Sequence, residues 1–238
     1  MIPWSGEDWE GWCERGEGGV KLQNHGFSDS LWSWTLADFR DRTAAGSPTP
    51  GGGAVAAVCA SLGVGLVVMG LEVTLRGASP DPVVLLTSLL RTGRELLERQ
   101  SAYADRDMVV FGEYMRARSL PQGSEAEKAA RRERLQRALV GATEVPLAAG
   151  HDIAAAIELS RQVVEICKPQ VFGDVAAGAD LLAGSLTAVL RSVDANLRGL
   201  VEGPLKKRLE EEWTELVESG AQGVAAMQAA VEARRQAV

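Results

Sequence analysis

GGGAVAAVCASLGVGLVVMGL, residues 51–71, is a run of 21 residues without one charge. A run this long and apolar is either a membrane-spanning helix or a helix enclosed on all sides by other helices. Six of the 21 residues are Gly, and many others are Ala or Ser. That makes the run only moderately hydrophobic, and it has no Trp or Tyr at its ends to sit at a membrane surface. The expectation is therefore a core helix, packed closely through its small residues, inside a helical bundle.

The sequence on either side agrees. Prolines stand at 3, 48, 50, 80, 82, 121, 146, 169 and 204. Proline is accepted in the first turn of a helix and strongly disfavoured inside one. Between these marks run long stretches rich in Ala, Leu, Glu, Arg and Val, with no series of short alternating strands. The expected fold is all-α, a single-domain bundle of long helices over residues 28–238. A short helix is expected from Leu31 to Thr43, then the uncharged helix to Arg76, and a long helix from Ser79-Pro80 towards Arg118. Ser124 and Glu127 form a capping-box pattern for the next helix, whose basic run KAARRER reads as a solvated face. Pro146 is expected to kink or break the chain before Leu147–Cys167. A further apolar helix should cover Val175 to Leu200. The last helix should start near Pro204, with Trp213, Leu216, Gly220, Val224, Met227 and Val231 as an inward stripe. Residues 1–27, with seven Gly and three Trp, read as an irregular N-terminal arm.

Composition narrows the function. A net charge of -7 argues against nucleic acid as a partner, which needs a basic stripe, but not against a small anion held in a local pocket. The three cysteines, Cys13, Cys59 and Cys167, are odd in number and widely spaced, so neither a disulfide framework nor a zinc site is suggested. The N-terminus MIPWSGEDWEGW does not read as a signal peptide. A cytoplasmic location without membrane attachment is expected.

Two features could carry chemistry. In SPTPGGGAVAA, residues 47–57, three glycines open a helix. Gly51, Gly52 and Gly53 would let a backbone approach a ligand closely, and the helix start offers free N–H groups to an anion. The equal alternative is a tight loop with close helix packing. The second feature is a set of acids in apolar text: Asp105 and Asp107 in SAYADRDMVVF, Asp174 and Asp180 in GDVAAGADLL, then Asp194 and Asn196. Asp174 also reads as a helix N-cap. His151 beside Asp152 reads as a surface pair. No serine-hydrolase or zinc-protease motif occurs, and no metal site is expected.

Taken in order, WTLADFRDRTAAGSPTPGGGAVAAVCASLG (34–63), DMVVF (107–111), LPQGSEAEK (120–128), ATEVPL (142–147), GDVAAGADLL (173–182) and VDANL (193–197) resemble the cyclodeaminase/cyclohydrolase family. The Gly-triplet segment is the distinctive part. The resemblance implies the fold of the C-terminal domain of formiminotransferase-cyclodeaminase, a homodimer, and a folate-type substrate with no separate cofactor. One branch removes ammonia from 5-formiminotetrahydrofolate. A free-standing branch hydrolyses 5,10-methenyltetrahydrofolate to 10-formyltetrahydrofolate, and the absence of a transferase segment leans towards it. On this resemblance Asp107 and Asp174 are the expected catalytic acids, while Gly51, Gly52, Gly53 and Asn196 are expected to bind substrate. The text departs from the family pattern at Lys168, Gln170 and Ser192, and in TLRGASPD. Those changes keep open a third reading, a non-catalytic helical homodimer that binds a ligand or a partner protein.

Overall fold

The computed structural model describes residues 30–46 and 49–237, so the Trp-bearing segment 1–27 lies outside the described residues. Among them are six α-helices and no strand: α1 (Leu36–Ala44), α2 (Gly52–Leu75), α3 (Pro80–Arg118), α4 (Glu125–Ile166), α5 (Phe172–Leu197) and α6 (Pro204–Ala237). Short 3-10 turns cover Leu31–Ser33 and Pro169–Val171. The helix expected from Leu31 to Thr43 is thus divided at Trp34 and Thr35. Thr35 caps α1 by accepting the Asp38 N–H at 3.0 Å.

Local chemistry explains most of the boundaries. Proline opens α3 and α6, where its missing N–H costs nothing. Ser124 and Glu127 close the capping box of α4 at 3.2 and 2.8 Å. Gly77, with φ +76°, provides the left-handed residue that ends α2. The Lys168 ammonium then donates to the Val73 and Arg76 carbonyls at that same end. The expected break at Pro146 does not occur: α4 runs through it for 42 residues.

The uncharged run becomes α2, packed most extensively on α5 and α3. Its most apolar stretch is 61% buried inside the bundle. The main core joins Val64, Val67 and Leu71 of α2 to Leu86 and Leu96 of α3, Ile153 and Ile157 of α4, Val175 and Leu182 of α5, and Met227 of α6. Leu216, Gly220 and Met227 of the expected α6 stripe are buried, and Trp213, Val224 and Val231 pack against the core from its edge.

Helices α2 and α5 are antiparallel and touch backbone to backbone. A methyl on Gly63 would lie 2.8 Å from the Gly178 carbonyl oxygen, and one on Gly178 would lie 2.7 Å from that of Gly63. Gly70 meets Val175 towards one end, and Gly52 lies beside Ser192 at the other. This register decides which candidate residues can meet.

Candidate active site

The start of α2 and the middle of α3 form the site. A β-carbon on Gly53 would fall on the Asp107 carboxylate, only 2.6 Å from its carbon, so no residue but glycine leaves room for it. The Asp107 carboxylate accepts the Ala54 N–H in the first turn of α2. It also lies beside a small apolar cluster of Leu31, Ala54, Ala57, Val58, Ala104 and Met108. Two effects therefore oppose each other. Burial disfavours the charged form, while the N–H favours it. Burial wins, and the Asp107 pKa is pushed up to about 6. The result is a carboxylate that gains and loses its proton close to neutral pH, which suits a general base or acid.

The glycines at this helix start thus accommodate a carboxylate supplied by the chain itself. Gly51 is the N-cap residue, with no side chain to close the end. Gly52 is exposed, and Ser192 Oγ would be 3.9 Å from its added β-carbon. The site is therefore floored by backbone and open above Gly52.

Asn196 reaches the same end of the molecule for a reason that lies in α4. Pro146 has no N–H, so the Ala142 carbonyl four residues earlier lacks its helical partner. Asn196 Nδ2 donates to that oxygen at 2.6 Å. This pins the C-terminal part of α5 to α4 and leaves Asn196 Oδ1 to meet a ligand. The sequence held a signal for this contact: an in-helix proline requires a donor from elsewhere for the fourth carbonyl before it.

Asp174 is not brought to this site within the chain. It lies exposed in the first turn of α5, whose N-cap is Val171. Gly70, opposite Val175, is 17 residues beyond Gly53 along α2, roughly 25 Å at helical rise. The other acids have local duties. Asp105 accepts Leu31 N–H at 2.8 Å and Ser30 Oγ at 2.7 Å, strapping the first turn onto α3. Asp194 pairs with Arg198, and Asp180 is exposed. His151 pairs with Glu212 and Asp152 with Arg99, as befits surface residues. Among the described residues no three of His, Cys, Asp and Glu gather as metal ligands would.

Comparison with known proteins follows this geometry. A family model described as formiminotransferase-cyclodeaminase matches residues 35–215. A methenyltetrahydrofolate cyclohydrolase from Methylorubrum extorquens is 31% identical over 189 residues, covering 79% of this chain and 91% of the relative. The formimidoyltransferase-cyclodeaminase of Gallus gallus is 28% identical over 192 residues, 79% of this chain but 35% of that longer protein. The crystal structure of formiminotetrahydrofolate cyclodeaminase from Thermotoga maritima superposes with a TM-score of 0.75 at 23% identity, over 85% of this chain and 98% of that one. At that identity the superposition speaks for the shared fold.

Proposed function

The chain belongs to the formiminotransferase-cyclodeaminase family, and from that premise we propose that it hydrolyses 5,10-methenyltetrahydrofolate to 10-formyltetrahydrofolate. The observation that carries this reading is the Asp107 carboxylate, buried against Gly53 with a pKa of about 6. The near-full coverage of the cyclohydrolase relative supports the choice of substrate.

The chemistry needs few groups. The one-carbon bridge of the substrate is cationic. A carboxylate beside it stabilises that charge and takes a proton from the attacking water. The new C–O bond gives a carbinolamine. Its collapse breaks the bond from carbon to N5 and forms the formyl C=O, with a proton returned to N5. One proton is released overall. Asp107 performs the first proton transfer and returns the proton in the second. Gly51–Gly53 let the flat pterin lie against the helix start, and Asn196 Oδ1 accepts from a pterin N–H. Asp174 is the second acid. No resident cofactor or metal takes part. The enzyme acts as a cytoplasmic, soluble homodimer.

The competing reading within the family is formiminotetrahydrofolate cyclodeaminase. It would use the same carboxyl group, protonated, to release ammonia. The fold superposition favours considering it.

The test follows the near-ultraviolet absorbance of 5,10-methenyltetrahydrofolate with and without the protein, corrected for spontaneous hydrolysis. Faster loss that disappears in Asp107→Asn supports the cyclohydrolase. Ammonia release from 5-formiminotetrahydrofolate without that loss would replace it with the deaminase. Binding of either folate without turnover would leave a non-catalytic ligand-binding protein.

A further inference from the structure

Helices α2 and α5 present a joint outer face that nothing in the described chain covers. On α5 the face is Asp174, Ala177, Leu181, Gly184, Ala188 and Arg191, stepping by three and four as one side of a helix must. On α2 it is Val55, Cys59, Leu62, Leu66 and Met69, with the same step. Leu62 is 54% and Leu181 41% exposed, high values for leucines beside a tight helix crossing. A Cβ on Gly184 would meet nothing within 4 Å.

The face is self-complementary. About a midpoint between residues 182 and 183, Leu181 pairs with Gly184, Ala177 with Ala188, and Asp174 with Arg191. Large meets small, and negative meets positive. On α2 the same kind of midpoint falls at Leu62. The antiparallel register places that residue level with the α5 midpoint, because Gly63 crosses α5 at Gly178 and Leu182. Two independent helix patterns thus share one centre, as a two-fold axis requires.

We infer that a second copy of this chain docks on the α2–α5 face about that axis, and that Asp174 of the partner subunit completes the active site begun by Asp107. The two-fold sets the partner's Asp174 beside Arg191, level with Gly52 and Gly53. It then lies across the start of α2 from Asp107, about one helix diameter away, on the order of 10 Å. The substrate lies between the two acids, over Gly51–Gly53. This arrangement accounts for two candidate acids that one chain holds at opposite ends of α2, and it rests on the assignment of Asp107 and Asp174 to the reaction.

Subunit mixing tests it. Asp107→Asn and Asp174→Asn chains are purified separately, unfolded together in equal amounts and refolded. A shared site predicts about a quarter of wild-type activity in the mixture, because half of the dimers regain one intact site. A mixture no more active than its parents, when wild type is active, overturns the proposal. A second measurement needs no activity. An Asp174→Cys, Arg191→Cys double variant should form a disulfide-linked dimer on oxidation, whereas neither single replacement should. A double variant that stays monomeric on a non-reducing gel overturns the docking whatever the substrate. Wild type that sediments as a monomer also overturns it, and would point to residues 1–29 of the same chain as the cover of this face. If the cross-link forms but neither folate is turned over, the dimer stands and the assigned reaction falls.

Discussion

At the scale of single residues, the contact between Asp107 and Gly53 concentrates the consequences. The carboxyl group is held at a pKa of about 6, against 3.8 for an ordinary aspartate. The folded chain therefore keeps a proton that the unfolded chain releases between those two values. Stability from this group is present at low pH and is lost as pH rises from about 4 to about 6. Asp107→Asn should gain stability relative to wild type across that window, by up to about 3 kcal/mol, as read by thermal melts at pH 4 and pH 7.5. The same replacement should lower kcat by roughly 100-fold or more through loss of the base. Wild-type kcat should fall as pH drops through about 6, whereas the residual rate of the variant should not. Gly53→Ala should damage both properties, since its methyl would overlap the carboxylate. A loss of about 1–3 kcal/mol is expected from such overpacking, measured by urea unfolding. Sequence patterns named both Gly53 and Asp107, but not that they touch. They stand on different helices, and only the packing of α3 on α2 brings them together.

At the scale of elements, α4 shows how a helix tolerates an internal proline. The freed Ala142 carbonyl is answered by Asn196, so the defect in α4 becomes a fastening for α5. Asn196→Ala should cost about 1–3 kcal/mol by leaving that oxygen unpaired. Adding Pro146→Ala should recover much of the loss, because an alanine N–H can answer Ala142 from within the helix. A double-mutant cycle by denaturant unfolding measures this coupling. The element boundaries were largely legible beforehand because they rest on local chemistry: prolines at Pro80 and Pro204, the Ser124–Glu127 box, and the glycines around residue 77. The continuity of α4 was not legible. Whether a proline breaks a helix depends on a donor from another helix, here 50 residues later in the chain. The Lys168 cap on α2 was equally hidden. Its partners are carbonyl groups at the end of α2, which no side-chain pattern announces.

At the scale of the whole molecule, the charge-free α2 gave the architecture, because a helix apolar all round must be enclosed. The described chain encloses it mainly with α3 and α5, and lets it touch α5 through glycine at Gly63 and Gly178. Gly178→Ala would force the two backbones apart along the middle of the core. A loss of about 1–3 kcal/mol and a lower Tm are expected, measured by circular dichroism melts. Two helices are long and apolar enough to cross a membrane by composition. Because α2 is satisfied inside the bundle, the protein should partition into the aqueous phase on detergent phase separation. The position of Asp174 belongs to this scale too. Its place in the sequence and its exposed helix turn were both readable, but its distance from Asp107 emerges only from the antiparallel register of α2 and α5.

The start of α2 is a receptor for negative charge whose guest is built into the chain. Ambient anions should consequently find it occupied, and phosphate or sulfate in the buffer should inhibit little. Cutting the guest away with Asp107→Ala would reopen the socket at a size close to that of formate. Added formate should then restore part of the lost turnover, while larger carboxylates should not, turning an internal fastening into a readout of its own dimensions.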